Sequence, residues 1–125
     1  MGRPVVHFEV MAKDAKAIRS FYADLFDWKI DANNPMNYGM VSPDDNASGG
    51  AGTSGIGGGI GQLPDGFPGG YATFYVDVDD VEASLQKAES LGAQRIMGPE
   101  NVMEGLTIGL FTDPEGHIVG VAASG

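Results

Sequence analysis

The two halves of the chain repeat one order of secondary-structure signals, and this repeat limits the possible folds more than any other feature. Each half begins with an alternating strand, continues with an amphipathic helix and ends with three short strands. A shift of 66 residues brings Ala17 onto Ala83 and Leu25 onto Leu91. One half cannot bury both its helix and its sheet. We therefore predict one α+β domain over residues 1–125, with modules at about 4–62 and about 70–124.

The first half contains strand and helix signals followed by a segment rich in glycine and serine. Residues 5–12 alternate between apolar and polar side chains, and Asp14 can cap a helix that continues to about Asp27. Short strands are predicted at 28–31, 36–41 and 56–62. The segment of about 42–55, SPDDNASGGAGTSG, has no periodicity and is predicted to be a mobile loop.

The second half follows the same plan with clearer signals. A strand is predicted at 71–78, and Asp79 has the capping-box spacing to Glu82. The helix that follows has one apolar stripe and is predicted to stop at Gly92. Strands are predicted at 93–97, 106–112 and 118–122.

Charge and composition exclude several classes of function. The net charge of −10 would repel nucleic acid and anionic lipid. The chain has no cysteine, which excludes a disulfide and a thiolate nucleophile. No segment approaches the roughly 20 apolar residues of a membrane span, and the N-terminus lacks a signal-peptide pattern. We expect a cytoplasmic protein that binds neither nucleic acid nor membrane.

Four motifs in this order resemble the vicinal oxygen chelate superfamily, which includes glyoxalases, bleomycin-resistance proteins and extradiol dioxygenases. The motifs are VHFEV, FYADLFDWKI, YVDVDDVEASLQKAESLGA and FTDPEGHIVGV. The resemblance implies two βαβββ modules whose mixed sheet curls into a cup with the helices outside, and a ligand or metal site in the cup. It also implies a homodimer.

The resemblance further implies where a metalloenzyme of this superfamily would hold its divalent ion. His7 matches the ligand position on the first strand, whereas Thr73 and Gly120 stand where a His and a Glu are usual. The fourth-strand position falls within residues 57–59, all glycine. One good donor remains, which is too few for a divalent ion. We predict a protein without a metal or other cofactor.

Strand alternation predicts which side chains line the cup. Phe8 and Val10 would pack under a helix, so His7 and Glu9 would face the cup. In the strand at 106–112, polarity predicts that Thr107, Gly109 and Phe111 face the cup. For Trp28 and Tyr38 we leave open a place in the core under the first helix. The predicted ligand-binding residues are His7, Glu9, Trp28, Tyr38, Gly58, Tyr71, Thr73, Tyr75, Phe111 and Gly120.

Two hypotheses for the function follow from these residues, beside a third in which the chain is an accessory module for protein contact that docks through the glycine-rich loop. The first is a metal-independent protein, similar to glyoxalases and bleomycin-resistance proteins, that binds a small apolar or aromatic molecule in the cup. The alternative is a glyoxalase or dioxygenase type of enzyme, a lyase or isomerase, that uses His7 and Glu9 with or without a divalent metal.

Overall fold

The computed structural model describes residues 2–43 and 55–124. Most of the predicted loop at about 42–55 lies outside these residues. The described residues form two helices and seven strands, an α+β fold with parallel and antiparallel pairing. In chain order the elements are β1 (Val5–Ala12), α1 (Ala15–Phe26), β2 (Gly39–Val41), β3 (Gly57–Gln62), β4 (Tyr71–Asp77), α2 (Val81–Ser90), β5 (Gln94–Met103), β6 (Leu106–Thr112) and β7 (Ile118–Ser124).

The chain divides into two compact units, one within residues 7–72 and the other within residues 1–6 and 73–125. In the first unit the strand order is β2-β3-β1, and β1 is parallel to β3. In the second unit the order is β4-β7-β6-β5, and β4 is parallel to β7. The predicted α+β class with mixed strand directions is confirmed. The prediction that residues 1–125 act as a single domain remains a prediction.

Both helices begin at an aspartate, as the sequence indicates. The Asp14 carboxylate accepts a hydrogen bond from the Ala17 amide at 3.1 Å, and Asp80 accepts one from the Ala83 amide at 3.1 Å. Asp80 therefore caps α2 in place of the expected Asp79. The Asp79 carboxylate instead pairs with Arg3 at 2.6 Å.

For two strands of the first half, the predicted extent is wrong. The predicted strand at 28–31 contributes only an isolated bridge between Asp31 and Met40, and the predicted strand at 36–41 is shortened to β2. The backbone of Asn37 has a φ of 51°, in the left-handed region, so an extended strand cannot begin there. The second half has the predicted elements, with β5 longer than expected.

The sheet of the second unit has apolar side chains on both faces. Tyr75, Leu110 and Ala122 form a cluster on one face. Val121 packs with Val81 and Leu85 of α2 on the other face.

The predicted orientation of β6 is wrong. Phe111 packs with the α2 cluster, and a Cβ on Gly109 would lie 2.8 Å from the Leu85 side chain. Polarity was misleading because both faces of this strand are covered.

Neither helix of the described residues is long and apolar enough to cross a membrane.

Candidate functional site

A tyrosine hydroxyl joins a histidine and a buried glutamate on one face of the first unit. The side chains of His7 and Glu9 project to the same face of β1 because they are two residues apart. The Tyr38 hydroxyl donates a hydrogen bond to Glu9 Oε1 at 2.8 Å and lies 3.0 Å from His7 Nε2. Glu9 is only 8% exposed. These three residues, the Glu9–Tyr38–His7 site, form one hydrogen-bonded series.

The geometry of this site indicates which group donates each of its hydrogen bonds. An ionised carboxylate can only accept, so the Tyr38 hydroxyl gives its one proton to Glu9, and the Tyr38 oxygen is left to accept from His7 Nε2. His7 Nε2 therefore carries a proton. Burial lowers the pKa of His7, which favours the neutral imidazole.

Tyr38 reaches this position because of the turn that precedes β2. Asn34 Oδ1 accepts hydrogen bonds from the backbone amides of Met36 at 3.2 Å and Tyr38 at 3.0 Å. Asn34 Nδ2 donates to the Tyr38 carbonyl at 2.7 Å. The sequence marks Asn33-Asn34-Pro35 as a turn, and one asparagine side chain in this turn fixes both backbone polar groups of Tyr38.

Glycines in β3 make room for the tyrosine ring. A Cβ added to Gly59 would overlap the ring and hydroxyl of Tyr38. A Cβ on Gly61 would lie 2.9 Å from the same ring. Gly59 pairs with Glu9 across β1 and β3, so the ring lies over the strand beside the carboxylate.

Tyr71 adds a neutral phenol to the surroundings of Glu9. Burial, together with the negative charge of Glu9, raises the pKa of Tyr71 to about 12. The Tyr71 hydroxyl therefore keeps its proton at neutral pH and can donate a hydrogen bond. Its ring contacts Phe67 with centroids 5.7 Å apart.

Two predicted ligand-binding residues of the first unit lie on the opposite face. The Trp28 ring packs against Phe8 at 5.4 Å and against Tyr22 and Phe26 of α1. It occupies the core position that the sequence left open. A Cβ on Gly58 would overlap the Phe8 ring, so Gly59 and not Gly58 faces the site. The alternation along β3 places neighbouring glycines on opposite faces.

Three other predicted residues lie together in the second unit. The Tyr75 ring covers Gly120, where an added Cβ would lie 2.5 Å from it. The Thr73 hydroxyl donates to the Ile118 carbonyl at 2.5 Å. Tyr75 thus fills the space beside Gly120. Phe111, as described above, lies on the α2 face of this unit.

The side chains present do not fit the divalent ion of the superfamily's metalloenzymes. Of the matching positions, Thr73 donates to a backbone carbonyl, and Gly120 is covered by a phenol ring. His7 Nε2 is turned toward Tyr38. Within residues 2–43 and 55–124, no group of three or more His, Asp or Glu side chains is placed to hold a metal ion.

The family of the chain is established by comparison with known proteins. Residues 5–121 match the family model of the Glyoxalase/Bleomycin resistance protein/Dioxygenase superfamily. The match covers nearly all of the sequence. The chain belongs to this superfamily, which confirms the resemblance read from its motifs.

Similar proteins agree with this assignment. The chain is 29% identical over 116 residues to "Putative glyoxylase CFP32" of Mycobacterium bovis, a match that covers 90% of this chain and 42% of that protein. The chain thus spans about two fifths of the length of this curated relative. A superfamily member from Vibrio splendidus 12B01 aligns with a TM-score of 0.63 at 15% identity, covering 98% of this chain and all of that one.

A further solved structure shares the fold. The methylmalonyl-CoA epimerase from Mycobacterium tuberculosis aligns with a TM-score of 0.57 at 13% identity. The alignment covers 97% of this chain and 87% of the epimerase. At this identity the likeness shows the fold and does not transfer a substrate.

Proposed function

We propose that the Glu9–Tyr38–His7 site binds a small neutral or cationic aromatic molecule directly, without a metal ion. The observation that carries this proposal is the Tyr38 hydroxyl held between His7 and a Glu9 side chain that is 8% exposed. Burying a carboxylate is costly, so its presence on this face favours a role in recognition. A carboxylate recognises ammonium groups and hydrogen-bond donors.

Two further features support this class of ligand. The phenol rings of Tyr38 and Tyr71 offer flat apolar surface with a polar group at one end. The net charge of −10 attracts cations and repels anions. An aromatic amine matches both, because its ring can pack on the phenol rings and its positive charge is attracted by the negative net charge.

A series of three benzyl compounds tests the proposal. Benzylamine, benzyl alcohol and benzoate are similar in size but differ in charge, and binding to the native state raises the melting temperature. We expect the largest rise with benzylamine, a smaller rise with benzyl alcohol and none with benzoate. Glu9→Gln should remove the advantage of the amine and keep the response to the alcohol.

The matched control for charge is Glu115→Gln, in the exposed turn before β7. This variant should respond like the wild type. If no compound raises the melting temperature, or if Glu9→Gln keeps the preference for the amine, the proposal is wrong.

A second candidate function is proton transfer, which the hydrogen-bonded series of Glu9, Tyr38 and His7 favours. The Glu9 carboxylate would take a proton from the carbon next to a carbonyl, and the Tyr71 hydroxyl would donate a hydrogen bond to the resulting enolate oxygen. Return of a proton from the Glu9 carboxyl group to that carbon completes the cycle. Phenylacetone in D₂O is a suitable probe, because loss of its benzylic proton signal reports each turnover. If the wild type exchanges the benzylic protons no faster than Glu9→Gln does, this function is excluded.

The expected homodimer also remains a proposal. Three apolar side chains of α1 support it, since Phe21, Leu25 and Phe26 are each more than half exposed. Light scattering after gel filtration should give twice the monomer mass of 13.0 kDa, and a monomer at micromolar concentration would contradict the proposal. The cytoplasmic location stays a prediction.

A further inference from the structure

Asn34 makes an unusually complete set of bonds to the residue that carries the central hydroxyl of the site. Its amide oxygen accepts from the Tyr38 backbone amide, and its amide nitrogen donates to the Tyr38 carbonyl. The two bonds measure 3.0 and 2.7 Å. Both backbone polar groups of Tyr38 are therefore fixed by one side chain, which also accepts from Met36.

The rest of the turn leaves Tyr38 little freedom. The carbonyl of Asn37, directly before Tyr38, accepts a hydrogen bond from Arg19 of α1 at 3.2 Å. The backbone of Asn37 has a φ of 51°, in the left-handed region, directly before Tyr38. Gly59 and Gly61 provide the flat strand surface under the ring. The position of the Tyr38 hydroxyl thus depends on backbone contacts at one end and on two glycines at the other.

We propose that Asn34 is the positioning residue of this site: by fixing the backbone of Tyr38, it keeps the Tyr38 hydroxyl between His7 and Glu9 and so holds His7 in the tautomer protonated on Nε2. The functional importance of this role rests on the proposed function. The effect on the His7 tautomer does not rest on the proposed function, because it is a property of the protein without ligand.

The imidazole nitrogens of His7 give a direct readout. Their ¹⁵N chemical shifts distinguish a protonated nitrogen from an unprotonated one. In the wild type at neutral pH, we expect Nε2 of His7 to show the protonated shift. Asn34→Ala and Tyr38→Phe should both move the two nitrogens toward a mixture of tautomers. The double variant should add nothing to Tyr38→Phe, since Asn34 acts through that hydroxyl.

Two controls separate positioning from general stability. Asn33→Ala changes the neighbouring side chain and should leave the His7 shifts at wild-type values. His117, which lies in the other unit and bonds Asp113 through Nδ1, is an internal reference whose shifts should stay constant in every variant. If Asn34→Ala does not fold, Asn34→Asp carries the test, because it keeps the acceptor for the Tyr38 amide and should give a smaller change in the same direction.

Benzylamine binding extends the test to function. Asn34→Ala and Tyr38→Phe should weaken its affinity to a similar extent, roughly tenfold for the loss of one well-placed polar contact. Wild-type His7 shifts in Asn34→Ala would overturn the positioning role. Changed His7 shifts in a protein that binds no benzyl compound would instead confirm the positioning role and contradict the proposed function.

Discussion

At the scale of single residues, the nearly buried carboxylate of Glu9 has to be stabilised by its neighbours. The carboxylate is nearly buried and accepts a hydrogen bond from the Tyr38 hydroxyl at 2.8 Å. A hydrogen bond to a charged group contributes more than a neutral one, and removing a donor from a buried acceptor is costly. Glu9 and Tyr38 should therefore affect stability as well as binding.

We expect Tyr38→Phe to lower the free energy of unfolding by about 1–3 kcal/mol, the usual cost of removing one partner from a buried polar pair. Urea unfolding followed by circular dichroism measures this change. Tyr22→Phe is the control, since Tyr22 packs through its ring against Phe26 and Trp28. Equal stability of Tyr38→Phe and the wild type would show that the hydroxyl does not stabilise the buried carboxylate.

The sequence predicted that His7 and Glu9 share a face, but it left open whether Tyr38 joins them or fills the core under the first helix. Alternation along β1 follows from strand geometry, so the shared face of His7 and Glu9 could be predicted. The choice of Gly59 over Gly58 depends on the pairing register of β1 with β3, and three successive glycines carry no pattern that reveals a register. The role of Asn34 depends on the turn geometry after Pro35, which residue type alone does not determine.

At the scale of elements, one arginine ties α2 to β5. Arg95 donates to Glu82 at 2.8 and 3.0 Å and to Glu89 at 3.0 Å. The hydrogen bonds from Arg95 and Gln86 hold the pKa of Glu82 down at about 2. The folded state thus binds a proton at Glu82 less readily than the unfolded chain does.

This lowered pKa predicts a pH-dependent contribution to stability. The stabilisation from Glu82 is fully present above the ordinary pKa of 4.5 and is lost as the pH falls toward about 2. Glu82→Gln should therefore be less stable than the wild type at pH 7, and the difference should shrink between pH 4.5 and pH 2. Urea unfolding across this range measures the difference.

Glu115→Gln serves as the control for the loss of one negative charge, because Glu115 lies in an exposed turn. Its stability relative to the wild type should change little over the same range. A constant gap between Glu82→Gln and the wild type from pH 7 to pH 2 would contradict the role of the Arg95 pair.

The glycines of β3 give a second prediction at this scale. Gly59→Ala places a methyl group where the Tyr38 ring lies, so the ring or the strand must shift. We expect the variant to lose stability by about 1–3 kcal/mol, typical of overpacking. Gly69→Ala is the matched control, since no heavy atom lies within 4 Å of its added Cβ. Similar melting temperatures for the two variants would contradict the close packing of Tyr38 on β3.

The sequence predicted the positions of the helices and strands better than it predicted which side chains of a strand face α2. Both helices and all four strands of the second unit could be read from periodicity and caps, since these signals are local. The face of β6 could not, because Leu110 and Phe111 are covered on opposite sides of the sheet. Of the strand expected at 28–31, only Asp31 pairs with a neighbour, through the isolated bridge to Met40.

At the scale of the whole molecule, the chain combines the fold of a superfamily that includes metalloenzymes with a different set of side chains. Residues 5–121 match the family, yet of the positions that the resemblance assigns to metal ligands only that of His7 holds a usual ligand, and the others hold Thr73, Gly120 and the glycines of β3. Fold and chemistry are separable in this way because function resides in a few side chains on a shared framework.

We expect protein purified without chelators to contain much less than one divalent ion per chain by elemental analysis. Addition of EDTA should leave the melting temperature unchanged, since a bound ion would stabilise the native state. One equivalent of a divalent ion that is lost in His7→Ala would contradict this expectation.

The pairing of a tyrosine ring with a glycine occurs in both units, as Tyr38 on Gly59 and Tyr75 on Gly120. A carboxylate at position 120 would meet the Tyr75 ring, and loss of Tyr75 alone would leave a void beside Gly120. Placing a metal-ligating side chain at position 120 therefore requires a second substitution at position 75, because the two residues share one space.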